Sequence, residues 1–175
     1  MIPTRSQIES YTTDHLVDAA DYWGSLADRW EDAHWQVRNE AHSLNWEGSA
    51  GDAMRARTVA DYAVAARRAD QLRNAAGIAR QKAGELERLH NRILYAVGDA
   101  EEAGFAVGED LSVNDIRATM DPAELIARQL QAQAFAADIR QRAITLTGVD
   151  NDVAASLTAI AGSVGDAVFT ELAVD

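Results

Sequence analysis

Apolar residues recur every three or four positions over most of this chain. Leu16, Trp23, Trp30, Val37 and Leu44 stand seven residues apart, and Ala19, Leu26 and Ala33 fill the alternate positions. This spacing predicts a narrow packing stripe on one helix, running from about Arg5 to about Leu44. Asp18, Asp21, Asp28, Glu31 and Asp32 fall on its other faces. After Gly48 the rhythm resumes. Thr58, Tyr62, Ala65, Ala69, Leu72, Ala76, Ala79, Ala83, Leu86, His90, Ile93, Val97 and Ala100 alternate steps of four and three. They predict a second long helix ending near Ala103. Folding the two helices antiparallel about residue 47 sets Trp30 near Ala65 and Ala69, and Trp23 near Leu72 and Ala76. Large side chains against small ones let helices approach closely with few voids. Trp23 and Trp30 are therefore expected to be buried against the alanine-rich half of the second helix.

Gly104 and Gly108 break the helical rhythm. Phe105, Val107, Leu111 and Val113 alternate about Gly108-Glu109-Asp110, which fits either a small β-hairpin or an ordered loop. Asp121-Pro122-Ala123-Glu124 reads as a helix start, with Asp as cap, Pro in the first turn and Glu three residues on. A third helix is predicted from Pro122 to about Leu146, ended by Gly148. Asp150 or Asn151 then caps a fourth helix to about Leu172, with a seam of Val153, Leu157, Ile160, Val164 and Val168. The expected fold is all-α. A long antiparallel hairpin occupies 1–104, an irregular connection or small β-hairpin 105–120, and a two-helix extension 121–175 packs back to make a four-helix bundle.

Between the two long helices stands Trp46-Glu47-Gly48. Gly permits the backbone of a tight reversal, and Trp can cover the open end of the hairpin. Further along, Tyr95-Ala96-Val97-Gly98-Asp99 places a tyrosine and a carboxylate four residues apart, on one helix face. A Trp-x-Gly turn between long helices, followed by Tyr-x-x-x-Asp, resembles the WXG family of small helical-hairpin proteins exported by type VII secretion systems in actinobacteria and related bacteria. The resemblance covers roughly residues 1–104. It implies that Trp46 and Gly48 shape the turn, and that Tyr95 and Asp99 contribute to recognition by the secretion machinery. Typical members end soon after the second motif, whereas this chain continues for about seventy residues.

Composition narrows the function classes. A formal net charge of −12 repels phosphate backbones and anionic membrane surfaces, which disfavours nucleic-acid binding. The absence of cysteine removes disulfides, thiolate metal sites and thiol chemistry. The first seven residues have no apolar core of the kind a cleavable signal peptide needs. His15, His34 and His42 have no metal-type spacing, Asp150-Asn151-Asp152 lacks the later ligands of a calcium loop, and His90 sits in the apolar seam as a hydrogen-bonded core histidine. No phosphate-binding loop, nucleophile elbow or zinc-protease motif occurs. Trp35 lies about 140° around the helix from Trp30, so it cannot share the seam. It is expected to touch the later helices or another protein, or to stand without a role.

Together these readings predict an export-targeting and protein-interaction module of a type VII secretion substrate, without catalytic activity, cofactor or metal. Its expected partners are the secretion machinery and either a helical-hairpin partner or a second copy. Its expected location is outside the cell or in the envelope. The alternative is a membrane-active effector whose helices insert after export.

Overall fold

The computed structural model describes residues 2–118 and 121–172, with side chains up to residue 160 in the last helix and Gly162 beyond it. The order is α1 (Arg5–Glu9), α2 (Asp14–Ser43), α3 (Ser49–Glu102), β1 (Phe105–Val107), β2 (Val113–Asp115) and α4 (Pro122–Leu172). The protein is thus mainly helical, with one small antiparallel sheet. The chain divides into two compact units. One combines residues up to 13 with 82–155, and the other combines 14–81 with the residues from 156 onward.

The expected first helix is broken. α1 starts on a capping box in which the Thr4 hydroxyl accepts from the Gln7 amide and the Gln7 side chain accepts from the Thr4 amide. It stops at Ser10 because the next residues have other partners. The Tyr11 hydroxyl donates to Asp150 at 3.0 Å, and its ring meets His90 at 5.5 Å between centroids. Thr12 and Thr13 follow, β-branched residues that favour helix boundaries over interiors. α1 is fastened down. The Arg5 amide donates to the Glu109 carbonyl, the Arg5 guanidinium reaches the Val107 carbonyl at 2.9 Å and Glu101 at 2.8 Å, and the Ser6 hydroxyl donates to Glu109 at 2.7 Å.

α3 follows its predicted stripe closely. From Ala65 to Ala100 every seam position is buried except His90, which is half-buried. α2 departs from expectation. Leu16, Ala20, Ala27 and Ala41 are buried, so the fully buried alternate positions are Ala20 and Ala27, with the expected Ala19 and Leu26 half-buried beside them. Ala33 is exposed, as are Val37 and Leu44 at 56% and 54%. Trp23 and Trp30 are partly buried, not fully as expected. Trp23, Leu26 and Trp30 pack on a cluster of Ala27, Ala69 and Leu72, and Trp23 also meets Ala20, Ala76 and Ala79. The pairing of large α2 residues with small α3 residues therefore stands. Alanines take the fully buried positions between α2 and α3, and the indoles the half-buried ones.

Beyond α3 the β-hairpin is present. Phe105 pairs with Asp115 and Val107 with Val113. The four alternating residues Phe105, Val107, Leu111 and Val113 are all buried. Leu111 takes φ 59°, held there by complete burial and by its amide's bond to the Gly108 carbonyl.

The last two predicted helices are one. α4 starts as expected, with the Asp121 carboxylate accepting from the Ala123 amide, and then runs unbroken to Leu172. Gly148 does not end it, because interior glycine costs a helix only about 1 kcal/mol. Leu146 and Val153 are buried on either side of it and hold the turn in place. Leu157 packs on Ala20, Ala76 and Ala79. The expected seam positions Val164 and Val168 lie outside the described side chains.

The two cores differ in kind. Among the described residues, the largest fully buried side chains, Phe105, Leu86, Ile93, Leu111 and Ile139, all belong to the unit containing residues 82–155. Among the described residues, buried positions of the other unit are mostly alanine.

Candidate functional site

Two motifs singled out from the sequence lie in different units, and each is built by its local helix ends. At the turn, α2 ends at Ser43 and α3 begins at Ser49. Gly48 has φ +97°, a conformation that side chains rarely adopt, so glycine is required there. Its carbonyl accepts the first α3 bond from the Asp52 amide at 3.1 Å. Gly51, missed in the sequence, is equally specific for another reason. A Cβ at 51 would collide with the Trp46 carbonyl, so the turn lies directly on the first turn of α3. Arg55 completes the arrangement, donating to the Trp46 carbonyl at 3.1 Å and pairing with Asp52 at 2.6 Å. Trp46 remains 50% exposed. Its indole is laid on the helix start, and half of it is open to another molecule. Trp35 is 51% exposed and outside the seam.

Tyr95 and Asp99 sit on the last turns of α3. Ala96, Val97 and Ala100 turn inward and are buried, which puts Tyr95 and Asp99 on the outward face. Tyr95 is 73% exposed, the highest exposure of any large apolar or aromatic side chain among the described residues. The phenol and carboxylate point outward one helical turn apart.

At the end of α3 lies a polar latch that sequence reasoning missed. Arg128 of α4 grips Asp115 with two nitrogens, at 2.9 and 2.6 Å. It also donates to the carbonyls of Ala103 and Gly104 at 2.9 and 3.0 Å, satisfying the free end of α3. Its guanidinium lies 3.8 Å over the Phe105 ring. The Arg128 contact holds the Asp115 carboxyl down at about 2, well below the usual carboxylate range. In the sequence, the signal was an arginine in line with the apolar positions Ala132, Ile139 and Leu146.

His90 is held as expected of a core histidine. A carbonyl can only accept, so Nε2–H of His90 donates to Ile8 at 2.7 Å. Burial pushes the neighbouring Tyr11 hydroxyl up, and its bond to Asp150 pushes the same way. Hydrogen bonds from Ser6 hold Glu109 low. Among the described residues no group of His, Asp and Glu side chains is arranged to hold a metal ion. None of their helices is long and apolar enough to cross a membrane.

The chain is 50% identical, over 169 residues, to an uncharacterized protein of Mycobacterium bovis and to uncharacterized proteins of two Mycobacterium tuberculosis strains. The match takes in 97% of this chain and 52% of each relative, so the chain spans about half the length of the curated relatives it matches. No protein-family model matches the chain. No solved structure matches it either.

Proposed function

We propose that this chain is an export-targeting and protein-interaction module of a type VII secretion substrate, with no catalytic activity of its own. The observation that carries the reading is the outward placement of Tyr95 and Asp99. Both side chains stand free on a helix whose opposite face is committed to the core. A ring, a hydroxyl and a charge in that position suit docking on another protein better than they suit packing. The Trp46 turn, with Gly48 and Gly51 fixed by backbone geometry, supports the same reading. So does the mycobacterial origin of the relatives. Their greater length supports a delivery role, in which a segment like this one is attached to further material. The module acts outside the cell or in the envelope.

Four-helix packing belongs to the proposal as well. α2, α3 and the end of α4 meet at Ala20, Ala76, Ala79 and Leu157. A bundle there draws its fourth helix from a partner.

The test is the double substitution Tyr95→Ala with Asp99→Ala, scored for export and for melting temperature. Export should be lost with melting nearly unchanged, because neither side chain is buried. Normal export rejects the reading, and parallel loss of export and stability assigns the pair to folding.

A further inference from the structure

α4 carries two apolar stripes. One faces the core and includes Ala132, Ile139, Ala143 and Leu146. The other consists of Ile126, Leu130, Gln133, Ala137, Gln141, Ile144 and Gly148, spaced by threes and fours and exposed at every position. Ile126 is 63% exposed, Leu130 62% and Ile144 46%. Such a stripe is the pattern of a helix that packs on another helix.

Three observations select the occupant. The stripe has no charged residue, although the chain carries a net charge of −12. Two copies of so acidic a chain repel each other over most of their surface, and this face is one on which they do not. Charges beside the stripe are already engaged, Asp138 by Arg142 at 2.8 Å and Arg140 by the Asp110 carbonyl at 3.5 Å.

Second, the inner positions of the stripe read the same in size from either end, and its outermost pair is complementary, large against small. Counted outward from Ala137, Leu130 mirrors Ile144, Gln133 mirrors Gln141, and Ile126 mirrors Gly148. In an antiparallel pair these become contacts between copies. A large residue meets a glycine, amide meets amide, and alanine meets its own twin where the backbones cross. Third, a Cβ at Gly148 would touch nothing within 4 Å. The chain's own packing gives no steric reason for glycine there, and the space is open to a neighbour.

We infer that a second copy of this chain docks on this face, α4 antiparallel on α4 about a twofold axis at Ala137. Such a contact is isologous, each copy giving the same patch. From Ile126 to Gly148 the stripe runs about 33 Å, roughly three heptads of paired contact. The face lies outside residues 1–104, so the inference does not depend on the secretion reading.

The test uses the full chain. Sedimentation at tens of micromolar should give twice the monomer mass of 19.0 kDa. Ala137→Glu, at an exposed position, should weaken association at least tenfold by setting two carboxylates together at the axis, with helicity unchanged. Because the chain has no cysteine, single cysteines report the register. Ala137→Cys should oxidise to a self-linked dimer. Gln133→Cys should not link to itself, since its twin is displaced by about 12 Å along the axis, beyond the roughly 7 Å limit between Cα atoms. A mixture of Gln133→Cys and Gln141→Cys chains should link. Monomer mass throughout overturns the inference, as does a dimer that Ala137→Glu leaves intact. Cysteines that each link to their own copy would mean parallel helices and overturn the register. A monomer that floats with neutral phosphatidylcholine vesicles, and loses this with Ala137→Glu, would assign the face to a bilayer instead.

Discussion

Arg128 joins three parts of the chain that are far apart in sequence or chemically unlike. It is one of the inward positions of α4, yet it is spent on Asp115, on two carbonyls at the end of α3 and on the face of Phe105. A pattern that scores arginine as surface passes over it, because the apolar part of its environment is supplied by the Phe105 ring of β1, in a different element of the chain. Gly51 was hidden for a similar reason. What demands glycine there is the Trp46 backbone, and that contact exists only once the turn has formed. Gly48, by contrast, was legible, since a reversal between two long helices itself asks for a positive φ. The Asp115 pairing has a pH signature whose sign is fixed. Its carboxyl sits at about 2 in the fold against an ordinary 3.8. The ionised form is favoured by folding, so its contribution is complete above the ordinary value and is lost as pH falls through about 2. Denaturant midpoints of the wild type and Asp115→Asn should therefore differ clearly at neutral pH and converge between about pH 4 and pH 2. A difference that stays constant over that range would show that the carboxylate's charge is not what Arg128 uses.

At the level of elements, length and type were readable wherever a stripe ran long. α3 was, because its alternation of threes and fours holds from Thr58 to Ala100 and leaves one face for the core. α2 was readable as a helix but not in its seam. Leu16, Trp23 and Trp30 can be completed by the residue three or four positions on, and hydrophobicity favoured Leu26. The structure buries Ala20 and Ala27 most deeply, since packing on an alanine-lined partner favours small apolar residues over large ones. The extra break before α2 depends on Tyr11 finding Asp150, a contact 139 residues distant that no local pattern carries. Gly148 was misread because a helix-ending glycine and an interior one look alike without their backbone angles. The two glycines now make opposite predictions for the same substitution. Gly48→Ala should destabilise by at least about 1 kcal/mol, since a side chain at φ +97° is strained. Gly148→Ala, measured at concentrations dilute enough for monomer, should stabilise by about 0.5–1 kcal/mol, since alanine there fits a regular helix with nothing to strike. Thermal unfolding of both variants checks the pair. A destabilising Gly148→Ala would mean that the helix does bend at that residue.

For the whole molecule, the described side chains give the two units cores of unequal weight. Full burial of one large aliphatic or aromatic side chain contributes about 1.5–3 kcal/mol, and the unit of residues 82–155 holds all five of the largest. The unit built on 14–81 relies on alanines and half-buried indoles, and its turn end from Ser43 to Ala50 is exposed at every position. Local opening free energies follow such differences. Amides of residues 33–64 should therefore exchange with solvent well before those of 86–100, although 49–64 and 86–100 belong to one continuous helix. Uniform protection along α3 would contradict this. This inequality was half legible, since the run of alanines was plain but the concentration of Leu86, Ile93, Phe105, Leu111 and Ile139 in one unit needed the β-hairpin and α4 to appear. The fastening of α1 adds a mechanical consequence. Bonds from Arg5, Ser6 and Ile8 to Glu101, Val107, Glu109 and His90 stand between the first residues and everything after Thr13. Tension applied at the leading end loads them before any of it reaches α2. They act as a pin, so a motor pulling on the first residues of this chain meets a threshold there.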